Sequence, residues 1–304
     1  MARVIVLGSL NMDLIVETAR RPAVGETVMG SGFRALPGGK GLNQAVAAAR
    51  AGARTIMLGR VGDDGFGRAL LDLLDRQGID STRVDTDRDA PTGIALITVC
   101  AGDNTIVVAS GANMTLTVDA GDGPEILAGD VCVAQMETPT IATAAFFARA
   151  RRAGGHTILN VAPALPVPAA LLADTTILIV NETELAALAN TDVKDSDDID
   201  HVAAVAAALV AADRQVVVTL GKRGVLSLAR GHAPVVLNGH RVDAVDSTGA
   251  GDSFVGNFAA RMALGDRPGE ALRYANAAAA LAVTRRGAAP SMPTPREVRL
   301  LRGE

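Results

Sequence analysis

Nine consecutive residues, Asp246-Ser247-Thr248-Gly249-Ala250-Gly251-Asp252-Ser253-Phe254, run into an apolar stretch and combine two kinds of chemistry. Small residues at the start of a helix leave backbone N–H groups open, and the helix dipole behind them favours an anion. Gly249, Ala250 and Gly251 would form such an anion hole. An aspartate in the first turn of a helix is ordinary, but a carboxylate placed where an anion binds needs a further reason. A general base belongs beside an attacking hydroxyl, and an anion hole beside a phosphoryl group in transfer. Asp252 and the residues before it supply both. The Gly-x-Gly here lacks the third glycine of a dinucleotide fingerprint and does not follow the first strand, which argues against NAD.

A second glycine motif, Pro37-Gly38-Gly39-Lys40-Gly41-Leu42-Asn43-Gln44, also opens a helix. Its glycines permit a ligand to approach the backbone, and Lys40 and Asn43 are the side chains for hydroxyls or a phosphate. It is not a Walker A loop, because Lys40 is followed by Gly41 rather than Ser or Thr. The four histidines (156, 201, 232 and 240) show no metal-ligand spacing.

The elements that must position these motifs alternate between two periodicities. Short apolar runs at Val4–Leu7, Ile56–Leu58, Val131–Ala134, Ile158–Val161, Ile177–Val180 and Val216–Leu220 read as buried strands. Helical stretches fall at 42–51, 65–77, 139–153, 182–190, 198–212, 250–264 and 268–284, several ending at a glycine such as Gly52, Gly78 or Gly154. The alternation predicts an α/β fold, a mostly parallel central sheet flanked by helices. Ile94–Cys100 and Thr105–Ser110 flank the turn-like Ala101-Gly102-Asp103-Asn104 and read as a hairpin. With Leu14–Leu36 they make one small projecting sheet.

In an open parallel sheet, ligands sit beyond the C-terminal ends of the strands. The predicted strands end in polar residues or glycines: Gly8, Asn11 and Asp13; Gln135 and Glu137; Asn160; Asn181 and Glu184; Thr219 to Gly221. Five such ends lined with amides, carboxylates or glycines point to a polyhydroxylated or phosphorylated ligand.

Composition narrows the classes. The 304 residues are 49% hydrophobic and 20% charged, with mean hydropathy +0.27, enough for a sizeable core and far from a disordered composition. A net charge of −4 and 2% aromatic residues give no footprint for nucleic acid. The longest apolar run, Val202–Ala212, is too short for a bilayer, and no signal-peptide pattern is present after Met1. Cys100 and Cys132 both lie in apolar runs and read as buried reduced thiols of a cytoplasmic protein.

With these residues in view, the chain resembles the ribokinase-like family of ATP-dependent sugar and nucleoside kinases over essentially its whole length. The resemblance rests on Gly8-Ser9-Leu10-Asn11-Met12-Asp13, the Gly38–Asn43 motif and Asn181-Glu182-Thr183-Glu184. Thr219-Leu220-Gly221-Lys222-Arg223-Gly224 and the Asp246–Asp252 signature complete it. Within the family, Gln135-Met136-Glu137 and Gly287-Ala288-Ala289-Pro290-Ser291 point to phosphorylation of the 5-hydroxyl of D-ribose. Fructokinase, deoxyribokinase and nucleoside kinase activities stay open, as does, in another class, a sugar-binding regulator without catalysis.

The resemblance implies a single ribokinase-like domain over 1–304, with a lid built from 14–36 and 93–112. It implies Asp252 as catalytic base and Gly249, Ala250 and Gly251 as the cradle of the phosphoryl group. Asn11, Asp13, Gly39, Lys40, Asn43 and Glu137 would bind the sugar. Asn181, Thr219, Gly221, Gly224, Gly251 and Asn276 would line the nucleotide site, with Mg²⁺ arriving with ATP near Glu184. Asp246, Thr248, Ala282, Arg285, Gly287 and Ser291 would hold K⁺, mostly through carbonyls. Ala95 and Val108 would line the sugar pocket, and lids from two subunits would clasp into a homodimer. One departure stands out: the usual Asn-Pro-Ala-Pro reads Asn160-Val161-Ala162-Pro163 here.

Overall fold

A computed structural model of the chain describes residues 2–100, 103–118 and 123–304. The chain opens with β1 (Val4–Leu7), β2 (Asn11–Thr18), β3 (Gly30–Gly38), α1 (Lys40–Arg50), β4 (Thr55–Gly62), α2 (Gly65–Arg76) and β5 (Asp80–Asp87). The middle holds β6 (Gly93–Cys100), β7 (Asp103–Ala109), β8 (Val131–Ala134), α3 (Thr140–Arg152), β9 (His156–Asn160), α4 (Ala169–Ala173) and β10 (Ile177–Asn181). It continues through α5 (Glu182–Ala189), α6 (Ile199–Ala207), β11 (Gln215–Thr219), β12 (Gly224–Leu228) and β13 (Val235–Asn238). The last elements are α7 (Ala250–Ala263), α8 (Pro268–Ala282) and α9 (Pro295–Arg302).

Nine strands form the central sheet in the order β13-β12-β11-β10-β9-β8-β1-β4-β5. All neighbours from β11 to β5 pair in parallel, and only the two edge pairings, β11 with β12 and β12 with β13, are antiparallel. β1 shows why the middle of the sheet reads as an unbroken apolar run: all four residues are buried, two towards each face. Val4 and Val6 join a core with α1, α2, α7, α8 and α9, while Ile5 and Leu7 join one with α3, α4, α5 and α6. Two helical layers therefore sandwich one sheet, as the alternation required.

The predicted strands and helices are present with shifts of a few residues, except that α6 ends at Ala207 rather than 212. Sequence reading did not find β5, β12, β13, α4 or α9. The four-stranded second sheet, ordered β3-β2-β6-β7, contains both irregular segments as expected. Of the predicted turn Ala101–Asn104, Ala101 and Gly102 lie outside the described residues, while Asp103 and Asn104 belong to β7, where they pair with Cys100 and Val99. β7 is exposed along its whole length, and Phe33, Leu96, Ile106 and Val107 of this sheet are exposed too. Cys132 is buried as read, but Cys100, at the end of β6, is only half-buried and its thiol donates to the Ala19 carbonyl. The end of a small sheet has no second layer to cover it. Among the described residues no helix is long and apolar enough to cross a membrane.

Candidate active site

The C-terminal ends of the parallel strands converge, and a cavity of about 210 Å³ opens there. Lys40, Asn160, Asn181, Glu184, Thr219, Gly249, Gly251 and Asp252 line it. Pairing sets their relative heights: Asn181 stands opposite Thr219, and Asn160 opposite Ile179. Lys40 arrives from the first residue of α1, Glu184 from the first turn of α5 and Asp252 from the first turn of α7.

α5 begins on a capping box. Asn181 Oδ1 accepts from the Glu184 N–H at 2.8 Å, and Glu184 Oε2 accepts from the Asn181 N–H at 2.9 Å. Burial pushes the Glu184 carboxyl up to about 7, against the pull of the Asn181 N–H and of Lys40. At α7 the chain turns through Gly249 with φ of 75°, a left-handed conformation that an L side chain resists. A Cβ there would also press to within 2.9 Å of Ala288. Gly249 and Gly251 reach the cavity wall. Ala250 does not line it, and its N–H donates to the Ser247 carbonyl at 3.2 Å, closing the turn instead of standing open.

Asp252 is buried at 7% exposure. Its Oδ2 accepts from Asn43 Nδ2 and its Oδ1 from Gln44 Nε2, each at 2.9 Å. Helices α1 and α7 come close enough for this because Gly256 faces the backbone of Gln44, where a Cβ would sit 2.3 Å from the carbonyl oxygen. Burial raises the Asp252 carboxyl above its ordinary range, while Lys40 and the Asn43 and Gln44 amides oppose the rise. Burial works to lower Lys40, yet Asp252, Glu137, Glu184 and Asp13 hold its ammonium above the ordinary lysine range. Lys40 thus feels four carboxylates, two of which, Glu184 and Asp252, line the cavity with it.

The remaining sugar-side candidates gather where the second sheet meets the first. Asn11 opens β2 and pairs with Gly38 and Gly93; Asp13 pairs with Leu36 and Ala95. Burial, then Glu137 and Asp252, lift the Asp13 carboxyl to about 7. Glu137 accepts from the Ser9 hydroxyl and from the Lys40 N–H. Gly39 caps α1, and Asn43 turns its amide N–H onto Asp252. Ala95 is buried and pairs with Val108, which is 45% exposed.

A second, larger cavity of about 700 Å³ is lined by Lys222, Arg223, Asn238, Gly239, His240 and Arg241 among others; Gly221, Gly224 and Asn276 do not line it, but Gly224 and Asn276 both hold Asn238 of its wall. Gly224 pairs with Asn238, whose carbonyl accepts from Asn276 Nδ2 at 2.8 Å. His240, in the loop after β13, is half-buried in this wall. The cation candidates join two loops: Asp246 Oδ2 accepts from the Gly287 N–H, and Oδ1 from the Thr248 N–H and hydroxyl. Burial opposes ionisation of Asp246, but these three donors keep its carboxyl below the ordinary range. Ala282 ends α8, Ser291 is buried with its hydroxyl on the Ala288 carbonyl, and the Arg285 side chain turns away to Glu297. Sequence reading missed Gln44 as a site residue, and placed Gln135 and Asn160 at strand ends without a role. The hydrogen bonds these three make depend on helix packing that no local pattern shows.

Known proteins of similar sequence and structure share this architecture. Ribokinase of Bacillus subtilis is 38% identical over 302 residues, covering 98% of each chain. Ribokinase of Haemophilus influenzae is 37% identical over 298 residues, covering 96% of this chain and 95% of that one. The structure of Arabidopsis thaliana ribokinase complexed with ribose and ATP superposes with a TM-score of 0.87 at 34% identity, covering 99% of both chains. The family model for pfkB family carbohydrate kinases matches residues 1–295, and this chain belongs to that family of sugar phosphotransferases.

Proposed function

We propose that the chain transfers the γ-phosphoryl group of ATP to the 5-hydroxyl of D-ribose, giving D-ribose 5-phosphate and ADP. The observation that carries this reading is Asp252, a buried carboxylate beside Gly249 and Gly251 at the mouth of α7, in one cavity with Lys40 and Glu184. Similarity to ribokinases over nearly the whole chain supports the choice of ribose.

Sugar enters from the side of Asn11, Asp13, Gly39, Lys40 and Glu137, and ATP from the side of Asn181, Thr219, Gly221, Gly224 and Asn276. Asp252 takes the proton of the primary hydroxyl as its oxygen attacks the γ-phosphorus, and the bond to the bridging oxygen of ADP breaks. The backbone N–H groups around Gly249 and Gly251, with the dipole of α7, stabilise the charge on the phosphoryl oxygens. Two ions fit the donors present. Glu184 has one carboxylate oxygen on Asn181 and its other free to meet a hydrated Mg²⁺; Mg²⁺ keeps waters and needs few protein ligands beside phosphates. The ionised Asp246, which ties its loop to Gly287, suits a K⁺ shared with the 282–291 carbonyls. When bound, Mg²⁺ neutralises phosphate charge and K⁺ adds fixed positive field beside the anion hole. The second sheet serves as the lid over the sugar, and its exposed apolar face meets the lid of a second copy, in the cytoplasm.

ADP release measured over D-ribose, 2-deoxyribose, fructose and adenosine tests the assignment. D-ribose is expected to give the highest kcat/KM. Asp252→Asn is expected to lower kcat by about 10²–10⁴ with ribose binding largely kept. Preference for another acceptor overturns the substrate, and full turnover of Asp252→Asn overturns the base.

A further inference from the structure

Behind Asp252 lies a chain of buried amides, of which Asn160 reaches the cavity wall while Gln44 and Gln135 do not. Gln44 and Gln135 are 0% and 1% exposed, and Asn160 is 8% exposed. Gln135 Nε2 donates to Gln44 Oε1 at 2.6 Å. Gln44 Nε2 donates to Asp252 Oδ1 at 2.9 Å and to Asn160 Oδ1 at 3.1 Å. Asn160 Nδ2 in turn donates to the Ile179 carbonyl at 3.3 Å.

An amide has a donor end and an acceptor end, so this chain has a direction. Gln44 uses its oxygen on Gln135 and its nitrogen on two oxygens, Asp252 Oδ1 and Asn160 Oδ1. Turning the amide over would set its oxygen against both of those oxygens and its nitrogen against the Gln135 nitrogen. No water reaches Gln44 to relieve such a clash. Packing alone would be satisfied by any pair of buried amides; what it does not require is that the last N–H end on the carboxylate at the mouth of α7. We propose that Gln44, held in one orientation between Gln135 and an Asn160 anchored on the Ile179 carbonyl, is a positioning residue that holds Asp252 aimed into the cavity and ionised. This rests on the reading of Asp252 as the base.

Gln44 shares the task with Asn43 on the other carboxylate oxygen. The charged groups around Asp252 come from several elements: Lys40 of α1, Glu137 after β8, Asp13 of β2 and Glu184 of α5. Among these side chains, Lys40 and the Asn43 and Gln44 amides favour the ionised form. Removing one amide donor leaves burial and the neighbouring carboxylates less opposed, so Asp252 holds its proton to higher pH.

The test is kcat against pH for Gln44→Met, Gln135→Met, the double variant and Asp252→Asn, each with its Tm. Gln44→Met is expected to lower kcat about 10- to 100-fold, with the nucleotide KM within about twofold. Its acid limb is expected to move to higher pH by about half a unit or more. Gln135→Met should show a smaller change in the same direction, and the double variant should be no worse than Gln44→Met, because the second amide acts through the first. Wild-type kcat and acid limb in Gln44→Met, with Asp252→Asn inactive, overturn the positioning role alone. So does a loss equal at every pH and additive with that of Gln135→Met, the mark of simple packing damage. If Gln44→Met does not fold, the acid limb of Gln135→Met decides. Full activity of Asp252→Asn removes the reading beneath.

Discussion

Replacing Asp13 by asparagine should make the ligand-free protein more stable, and by an amount that depends on pH. The side chain sits at the base of the second sheet, its carboxyl against Gly38, with burial followed by Glu137 and Asp252 raising its pKa from 3.8 to about 7 while Lys40 pulls the other way. A carboxyl whose folded pKa is raised binds its proton in the folded state where the unfolded chain has released it. Stability therefore falls as pH rises through the window from about 4 to about 7 and levels off above it. A displacement of about three units at about 1.4 kcal/mol each amounts to about 4 kcal/mol at pH 8. At pH 5 the same linkage leaves about 2 kcal/mol, because only the unfolded side has titrated. Asn keeps the shape without the charge, so Asp13→Asn should gain those amounts over the parent chain. Urea unfolding followed by circular dichroism at pH 5 and pH 8, without sugar, measures both. The same variant should bind sugar less well, a stability gain at the expense of function. A gain that is equal at the two pH values, or a loss at both, refutes the electrostatic account of this cluster.

Two further outcomes are open to measurement. Replacing K⁺ by Na⁺ or Tris should lower turnover several-fold, and Asp246→Ala should blunt that difference; equal rates in K⁺ and alkali-free Tris would remove the cation. Sedimentation at micromolar concentration should show a dimer, and Val107→Asp, which charges the exposed face of the second sheet, should give monomers with reduced activity. A fully active monomeric parent chain would contradict the clasp.

What the sequence determined by itself was everything written in local pattern. The buried strands announced themselves because both faces of a parallel sheet are covered, so β1 and β8 carry no polar residue apart from the thiol of Cys132. Helix starts were legible where the backbone needs a small residue, as at Gly39 and Gly249, and the motif ending in Asp252 already set a carboxylate beside small residues at a helix start. Tertiary structure decided the rest. β5 reads Asp-Ser-Thr-Arg-Val-Asp-Thr-Asp, which has no strand signal; it is a strand because β4 offers it a free edge, where polar side chains can face water. At the other edge β12 runs against β11 and β13 against β12, a pairing that no run of residues contains. Cys100 lies in an apolar run but ends a sheet with only one layer, so it is not buried. The ionisation of Asp13, Glu184 and Asp252 depends on how deeply each is buried and on which charges the packing sets nearby. Gln44 and Asp252 are 208 residues apart, and they meet only because α1 and α7 close on each other at Gly256; a contact that long in sequence is fixed by packing, not by spacing.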